Sequence, residues 1–243
     1  NFSKYEGKSF YLTGRIVAWR EHGKLIFGHI LDQSGKIQLF IRGDMLVPTN
    51  KEKQTIGFTD LHLLDIGDFI QVFGEIVKTR TGAVSVQVKE TKLLTKSLRP
   101  LPEKWAGIKD AEIAFRKRYL DFIVNRDKVE RFIRKSKFWE ANRQFMKDHG
   151  FIEVETPILE SHTGGADARP FVTHMNALDQ DFFLRISTEL YEKRLVGAGF
   201  EKIYTLGPNF RNEGIDDEHL PEYYQLEWYW AYADYHDGMK LIK

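Results

Sequence analysis

Residues 8–94 are built from short apolar-rich runs separated by turn sequences. Phe10 to Trp19 is the first run, broken by Gly14. Lys24 to Leu31 and Lys36 to Ile41 follow, with Asp32-Gln33-Ser34-Gly35 between them, residues that favour a tight turn. Gly43 to Gly67 is polar and mixed and has room for a short helix. Asp68 to Lys78 and Ala83 to Leu93 predict two more strands, joined by Thr79-Arg80-Thr81-Gly82, the last alternating at Val84, Val86 and Val88. The pattern then changes. Arg99-Pro100-Leu101-Pro102 disfavours regular structure and marks a boundary, with a short helical piece after it around Ala111 to Val124. Asp127 to His149 takes up a helical period. Val129, Phe132, Ile133, Ser136, Trp139 and Phe145 form an apolar stripe, and Lys and Arg cover the opposite face. Asn125 or Asp127 can cap this helix, and Gly150 ends it.

The rest of the chain mixes the two periods. Phe151 to Leu159 predicts a strand interrupted by Pro157. Proline donates nothing to a ladder, so it belongs at an edge or a strand end, and such an edge beside a long amphipathic helix is a place for a second subunit. Thr163 to Pro170 is a loop whose adjacent Gly164 and Gly165 allow close backbone approach to a ligand; it lacks the P-loop pattern, which favours a plain turn over a phosphate cradle. Asp181 to Ile186 is a strand. Ser187 or Thr188 then caps a helix running to Ala198, with Gly199 at its end. Glu189 in its first turn has a structural explanation, since carboxylates favour helix N-termini. Glu201 to Leu206 leads into Phe210–Asp234, which reads as two antiparallel strands joined by a charged loop, Gly214 to Pro221. Arg211 and Glu213 fall on one face of the first strand. In the second, Gln225, Glu227 and Tyr229 share a face, and Leu226, Trp228 and Trp230 take the other. This is either a solvated hairpin over a core or a floor for a charged small molecule. A helix begins after Asp234.

Five strands in the first part, with a helical interruption between the third and fourth, match a small Greek-key barrel of the OB type. Such barrels bind single-stranded nucleic acid on one face, through aromatic and basic side chains. Arg15 can pair with phosphate, Phe27 can stack a base and Gln38 can bond a base edge. Phenylalanines in barrels are also commonly core, and arginine and glutamine commonly plain surface, so spacing leaves both readings open.

Composition narrows the classes. Of 243 residues, 42% are hydrophobic and 14% aromatic, enough for the core of one large or two ordinary domains. The absence of cysteine excludes disulfides and Cys-based zinc sites and fits a reducing compartment. The eight histidines are scattered, with no close pair at metal-ligand spacing. No run of 18 apolar residues occurs and the N-terminus carries no signal-peptide pattern, so the expectation is a soluble, cytoplasmic protein with no membrane partner. Residues 1–100 hold 15 Lys and Arg against 10 Asp and Glu, and the remainder 21 against 25, which directs polyanion contact to the front.

Several stretches together resemble the class II aminoacyl-tRNA synthetases, and within them the lysine type. The long helix with GFIEVETPIL, including Pro157, resembles the family's first motif, and FRNEG with the closing YADY resembles its second. Arg118-Tyr119-Leu120-Asp121 is similar to the segment entering the catalytic domain. Gly164 to Phe171, Thr188-Glu189-Leu190-Tyr191 with Lys193-Arg194-Leu195, and in the barrel Gly14-Arg15, Gly23-Lys24, Phe27 and Gly35 to Leu39 resemble the lysine-type enzymes. The resemblance covers nearly the whole chain.

It implies an α+β protein: an OB-type five-stranded anticodon-binding barrel over 1–98, a linker over 99–126, and over 127–243 part of a catalytic domain with an antiparallel sheet flanked by helices. It implies lysine activation by attack of the carboxylate on the α-phosphate of ATP, and transfer to tRNA. Arg211 would be catalytic, bridging both anions with its planar fork. Glu213, His219 and Tyr223 would help Arg211 seat ATP. Glu189 would take the α-ammonium beside Gly164 and Gly165, and Glu227 and Tyr229 the ε-ammonium. Arg15, Phe27 and Gln38 would read the anticodon. A homodimer would form through the 127–159 helix and strand, with Pro157 at the interface. The family's third motif and the carboxylates that hold Mg²⁺ there are not among these residues, so the resemblance implies about half of an enzyme, with no metal ligands of its own and no aminoacylation activity. His219-Leu220-Pro221-Glu222-Tyr223 departs from the usual lysine-type loop towards asparaginyl enzymes. The alternatives are an aspartyl- or asparaginyl-type ligase, or a non-catalytic nucleic-acid-binding protein whose second half is a dimerisation scaffold.

Overall fold

In the computed structural model, which describes residues 2–101, 110–216 and 218–243, the chain divides into two compact units, 1–126 and 127–243. The first is a closed barrel of five strands: β1 (Ser9–His22), β2 (Leu25–Leu31), β3 (Lys36–Arg42), β4 (Phe69–Lys78) and β5 (Val84–Thr95), in the order β1-β2-β3-β5-β4. Asp32 makes the β2–β3 turn by accepting from the backbone N–H of Ser34 (2.7 Å) and Gly35 (3.0 Å). That turn fixes the register at Leu31↔Lys36 and sets Phe27 opposite Phe40 and His29 opposite Gln38. Inward residues Ile16, Ile26, Ile30, Leu39, Ile41, Ile70, Val72, Val86 and Val88 form the core. Each buried aliphatic side chain contributes roughly 1.5–3 kcal/mol. Val84, expected on the same buried face, lies at the strand end and is exposed. The helical interruption is one 3₁₀ segment, Phe58–Leu63.

The helical piece after the boundary is two helices, α1 (Ala111–Arg116) and α2 (Arg118–Val124), separated at Lys117, whose ψ of 45° leaves the helical region. Asp110 caps α1 by accepting from Glu112 N and Ile113 N. Pro102, half of the expected proline boundary, lies outside the described residues.

In the second unit, α3 (Arg126–Asp148) matches the expected helix, but its stripe is not buried. Phe132, Ile133 and Phe145 are exposed, and only Met146 of the helix is fully enclosed. Phe151 to Leu159 is not one strand interrupted at Pro157. It forms β6 (Ile152–Glu153) and β7 (Leu159–Glu160), which belong to different sheets; Pro157 is in the exposed crossing. β8 (Val172–Met175) was not expected; it pairs with β9 (Gln180–Leu184), giving the sheet β7-β9-β8. Then come α4 (Glu189–Gly197), β10 (Lys202–Phe210), β11 (Glu222–Trp230) and α5 (Tyr235–Ile242), whose Asp234 forms a capping box with Asp237. The sheet β11-β10-β6 is mixed, since β6 runs parallel to β10. Its apolar face, Tyr204, Leu206, Leu226, Trp228 and Trp230, packs on Met146 and Phe151. The fold is α+β.

Candidate functional site

The second unit's polar site lies on the opposite face of the β10–β11 hairpin. Register places Thr205 opposite Glu227, Gly207 opposite Gln225 and Asn209 opposite Tyr223. Glu227 is held at both ends: Oε2 accepts from Thr188 Oγ1 (3.1 Å) and Gln225 Nε2 (3.0 Å), and Tyr229 OH donates to Oε1 (3.5 Å). Burial, then the charges of Glu227, Glu189 and Glu192, push the Tyr229 hydroxyl up, so it stays a donor at neutral pH. Of the two expected caps of α4, Ser187 and Thr188, the second spends its hydroxyl on Glu227. The capping bond comes from Ser187, whose Oγ accepts from Glu189 N at 3.1 Å.

Gly164 and Gly165 pack on the first turn of α4. A Cβ on Gly164 would lie 2.5 Å from Leu190 Cδ1; at Gly165, where φ is +84°, one would lie 2.8 Å from Glu189 Cβ and 2.9 Å from Ser187 Oγ. The glycines therefore bring the loop against Glu189, which pairs with Lys193 at 2.5 Å. Gly165→Ala is expected to destabilise the protein by roughly 1–3 kcal/mol, the strain of a left-handed alanine plus the clash. Urea denaturation checks this; an unchanged midpoint would mean that the loop docks loosely.

Arg211 and Glu213 are not on the strand. β10 ends at Phe210, and both lie in the loop, although Arg211 N–H still donates to Pro221 O (2.9 Å). The Arg211 guanidinium sits over the Tyr223 ring at 5.4 Å. Glu213 Oε1 accepts from Arg169 N (3.3 Å), and Asn212 N donates to Arg169 O (2.7 Å), which ties this loop to the segment after the paired glycines. His219 is exposed and bonds Asp216 through Nδ1 (2.8 Å). Arg211 Nε and Asn209 Oδ1 are buried without a hydrogen-bond partner among the described residues.

Two charged groups escaped the sequence reading. Arg185 is 2% exposed; its Nε donates to Pro208 O (2.9 Å), and its Nη1 donates to Thr156 O (3.1 Å) and Thr156 Oγ1 (2.9 Å). Glu192, on α4, is fully buried, and neither carboxylate oxygen has a hydrogen-bond partner among the described residues. Burial pushes it up to about 7 against the pull of the nearby Thr205 and Thr188 hydroxyls, whose protons go to Val154 O and Glu227; the charge of Glu227 pushes it further up.

In the barrel, Phe27 stacks on Phe40 with centroids 5.3 Å apart, beside His29–Gln38 on the outer surface of β2 and β3. Arg15 turns the other way: its guanidinium lies 4.3 Å from the Phe69 ring and donates to Gly67 O (3.3 Å). Phe40 was missed, although the Asp32–Gly35 turn places it opposite Phe27.

Residues 110–243 match the family described as tRNA synthetases class II (D, K and N). The chain belongs to that family. Residues 10–94 match the OB-fold nucleic acid binding domain. Over its whole length the synthetase chain is 49% identical to the lysine–tRNA ligases of Clostridium botulinum (strain Langeland) and Clostridium tetani (strain Massachusetts), and 47% to that of Clostridium perfringens (strain 13). It spans about half the length of these curated relatives, 47% in each case. Among its described residues no helix is long and apolar enough to cross a membrane, and no group of three or more histidines and carboxylates is placed to hold a metal.

Proposed function

We propose that this chain supplies the OB domain and the first part of the catalytic domain of a lysine–tRNA ligase. The observation that carries the reading is the Glu227 carboxylate, held by Thr188, Gln225 and Tyr229 on one hairpin face with the acidic start of α4 nearby. That arrangement suits an ammonium. An aspartate would need a cation where Glu227 stands, and an asparagine an amide reader. Titration calorimetry of the protein with L-lysine, L-asparagine and L-aspartate tests it: lysine is expected to bind alone, and binding of either rival in its place would sink the assignment.

In this reading Glu227 and Tyr229 take the lysine ε-ammonium. Glu189 takes the α-ammonium, exchanging its bond with Lys193, while Gly164 and Gly165 hold the loop close. Lysine's carboxylate then attacks the α-phosphate of ATP, giving lysyl-adenylate and pyrophosphate. Arg211 offsets the charge of the two anions, and Glu213, His219 and Tyr223 help seat the nucleotide. For His219 this means leaving Asp216, and for Tyr223 exchanging the Arg211 guanidinium for adenine. The Mg²⁺ implied by the family has no ligand set among the described residues, and no step is drawn through it.

The barrel binds the tRNA anticodon on the outer face of β2 and β3, with Phe27 and Gln38 reading bases and Arg15 a phosphate at the margin. Stacking is worth roughly 1–3 kcal/mol per base, so Phe27→Ala should weaken an RNA hairpin with a lysine anticodon by about 5- to 100-fold. Filter binding checks it, and an unchanged affinity removes Phe27 from the interface. A second copy of the chain covers the exposed face of α3 and the segment around Pro157; sedimentation should show a dimer.

A further inference from the structure

Resting on the lysine reading, we propose that Glu192 is a specificity-determining residue of the amino-acid pocket: a fully enclosed carboxyl group that gives up its proton as an ammonium binds at Glu227. Its placement argues this. Glu192 projects from α4 onto the hairpin face where Thr205 and Glu227 are paired across the strands, and it has no exposed surface and no hydrogen-bond partner for either oxygen among the described residues. The charged groups around it are few. Arg185, just beyond the end of β9, attracts the Glu192 charge, but its Nε and Nη1 donate to Pro208 O, Thr156 O and Thr156 Oγ1, and its charge is shared with Glu160. Glu227 and Tyr229 face it from β11, Thr205 from β10 and Thr188 from the start of α4; on its own helix Glu189 is neutralised by Lys193.

Two carboxylates on one hairpin face resist ionising together, and burial favours the neutral form of Glu192, the enclosed one without donors. An arriving ammonium reverses the balance, since its charge offsets that of both acids. The proton leaves Glu192 for solvent, and the new carboxylate strengthens the hold on the cation. A neutral side chain in the same position would gain nothing from Glu192 and would leave Glu227 unpaired, so one buried acid sharpens discrimination without touching substrate.

The test is titration calorimetry of the whole chain with L-lysine from pH 6 to pH 8, in two buffers of different ionisation enthalpy, with wild type and Glu192→Gln. Wild type should release a proton fraction approaching one at the acid end, and its affinity should rise about tenfold across the range. Glu192→Gln should release none and bind more weakly than wild type at every pH, with a flat profile. A flat wild-type profile without proton release overturns the inference and leaves the lysine reading standing, and this requires no variant to fold. A variant that keeps the wild-type slope overturns it equally. Failure of lysine to bind at any pH overturns both.

Discussion

Replacing Glu227 with glutamine is expected to weaken lysine binding by roughly 2–3 kcal/mol, about a hundredfold, while leaving the fold intact. The glutamine oxygen can still accept from Thr188 and Gln225, so the hairpin keeps its local bonds. What disappears is the negative charge opposite the ammonium, in a site where nearby Tyr229 can donate but not neutralise. Calorimetry with lysine, set beside an unchanged melting temperature, separates lost recognition from lost structure. An unaltered dissociation constant would remove Glu227 from the pocket and reopen the choice among the family's amino acids.

The second large effect falls on stability. Arg185→Leu should destabilise the second unit by about 3–5 kcal/mol, the range for removing one partner from a buried charged network. The guanidinium joins the end of β9 to Pro208 of β10 and to Thr156 between β6 and β7, and lies close enough to Gly207 that a Cβ there would sit 2.6 Å from Nη2. Leucine leaves those carbonyls without donors and leaves Glu160, whose carboxyl burial raises to about 7, without its nearest counter-charge. Urea denaturation followed by tryptophan fluorescence should report the loss, since Trp228 and Trp230 lie in this unit. A change below about 1 kcal/mol would show that Thr156 and Pro208 find water instead.

The barrel was legible because its strands alternate and its turns carry Asp, Ser and Gly where tight turns need them. The hairpin face was legible for the same reason: Gln225, Glu227 and Tyr229 are two apart, and a strand has period two. Arg211 and Glu213 were misplaced because pattern cannot tell a strand's last residue from the loop that continues its direction. β8 escaped because Val172–Met175 is short, mostly exposed and does not alternate in burial. Arg185 and Glu192 escaped because charge along a sequence predicts surface, and only packing shows that a charged group is enclosed. Helical period alone puts Glu192 three residues after Glu189, on a shared face of α4, a signal that was not used. The α3 stripe was read correctly as apolar, but periodicity does not say whether its cover is the same chain or another.

The closed barrel has a consequence for handling the protein. Every strand in the ring has two neighbours, so no row of free backbone donors and acceptors is offered to another chain. Among the described residues the second unit's two sheets have edge strands, β11 and the two-residue β6 in one, β8 and the two-residue β7 in the other. Partial unfolding at high concentration should therefore begin self-association from the second unit, and Lys or Pro substitutions that discourage aggregation belong on β8 rather than anywhere in the ring.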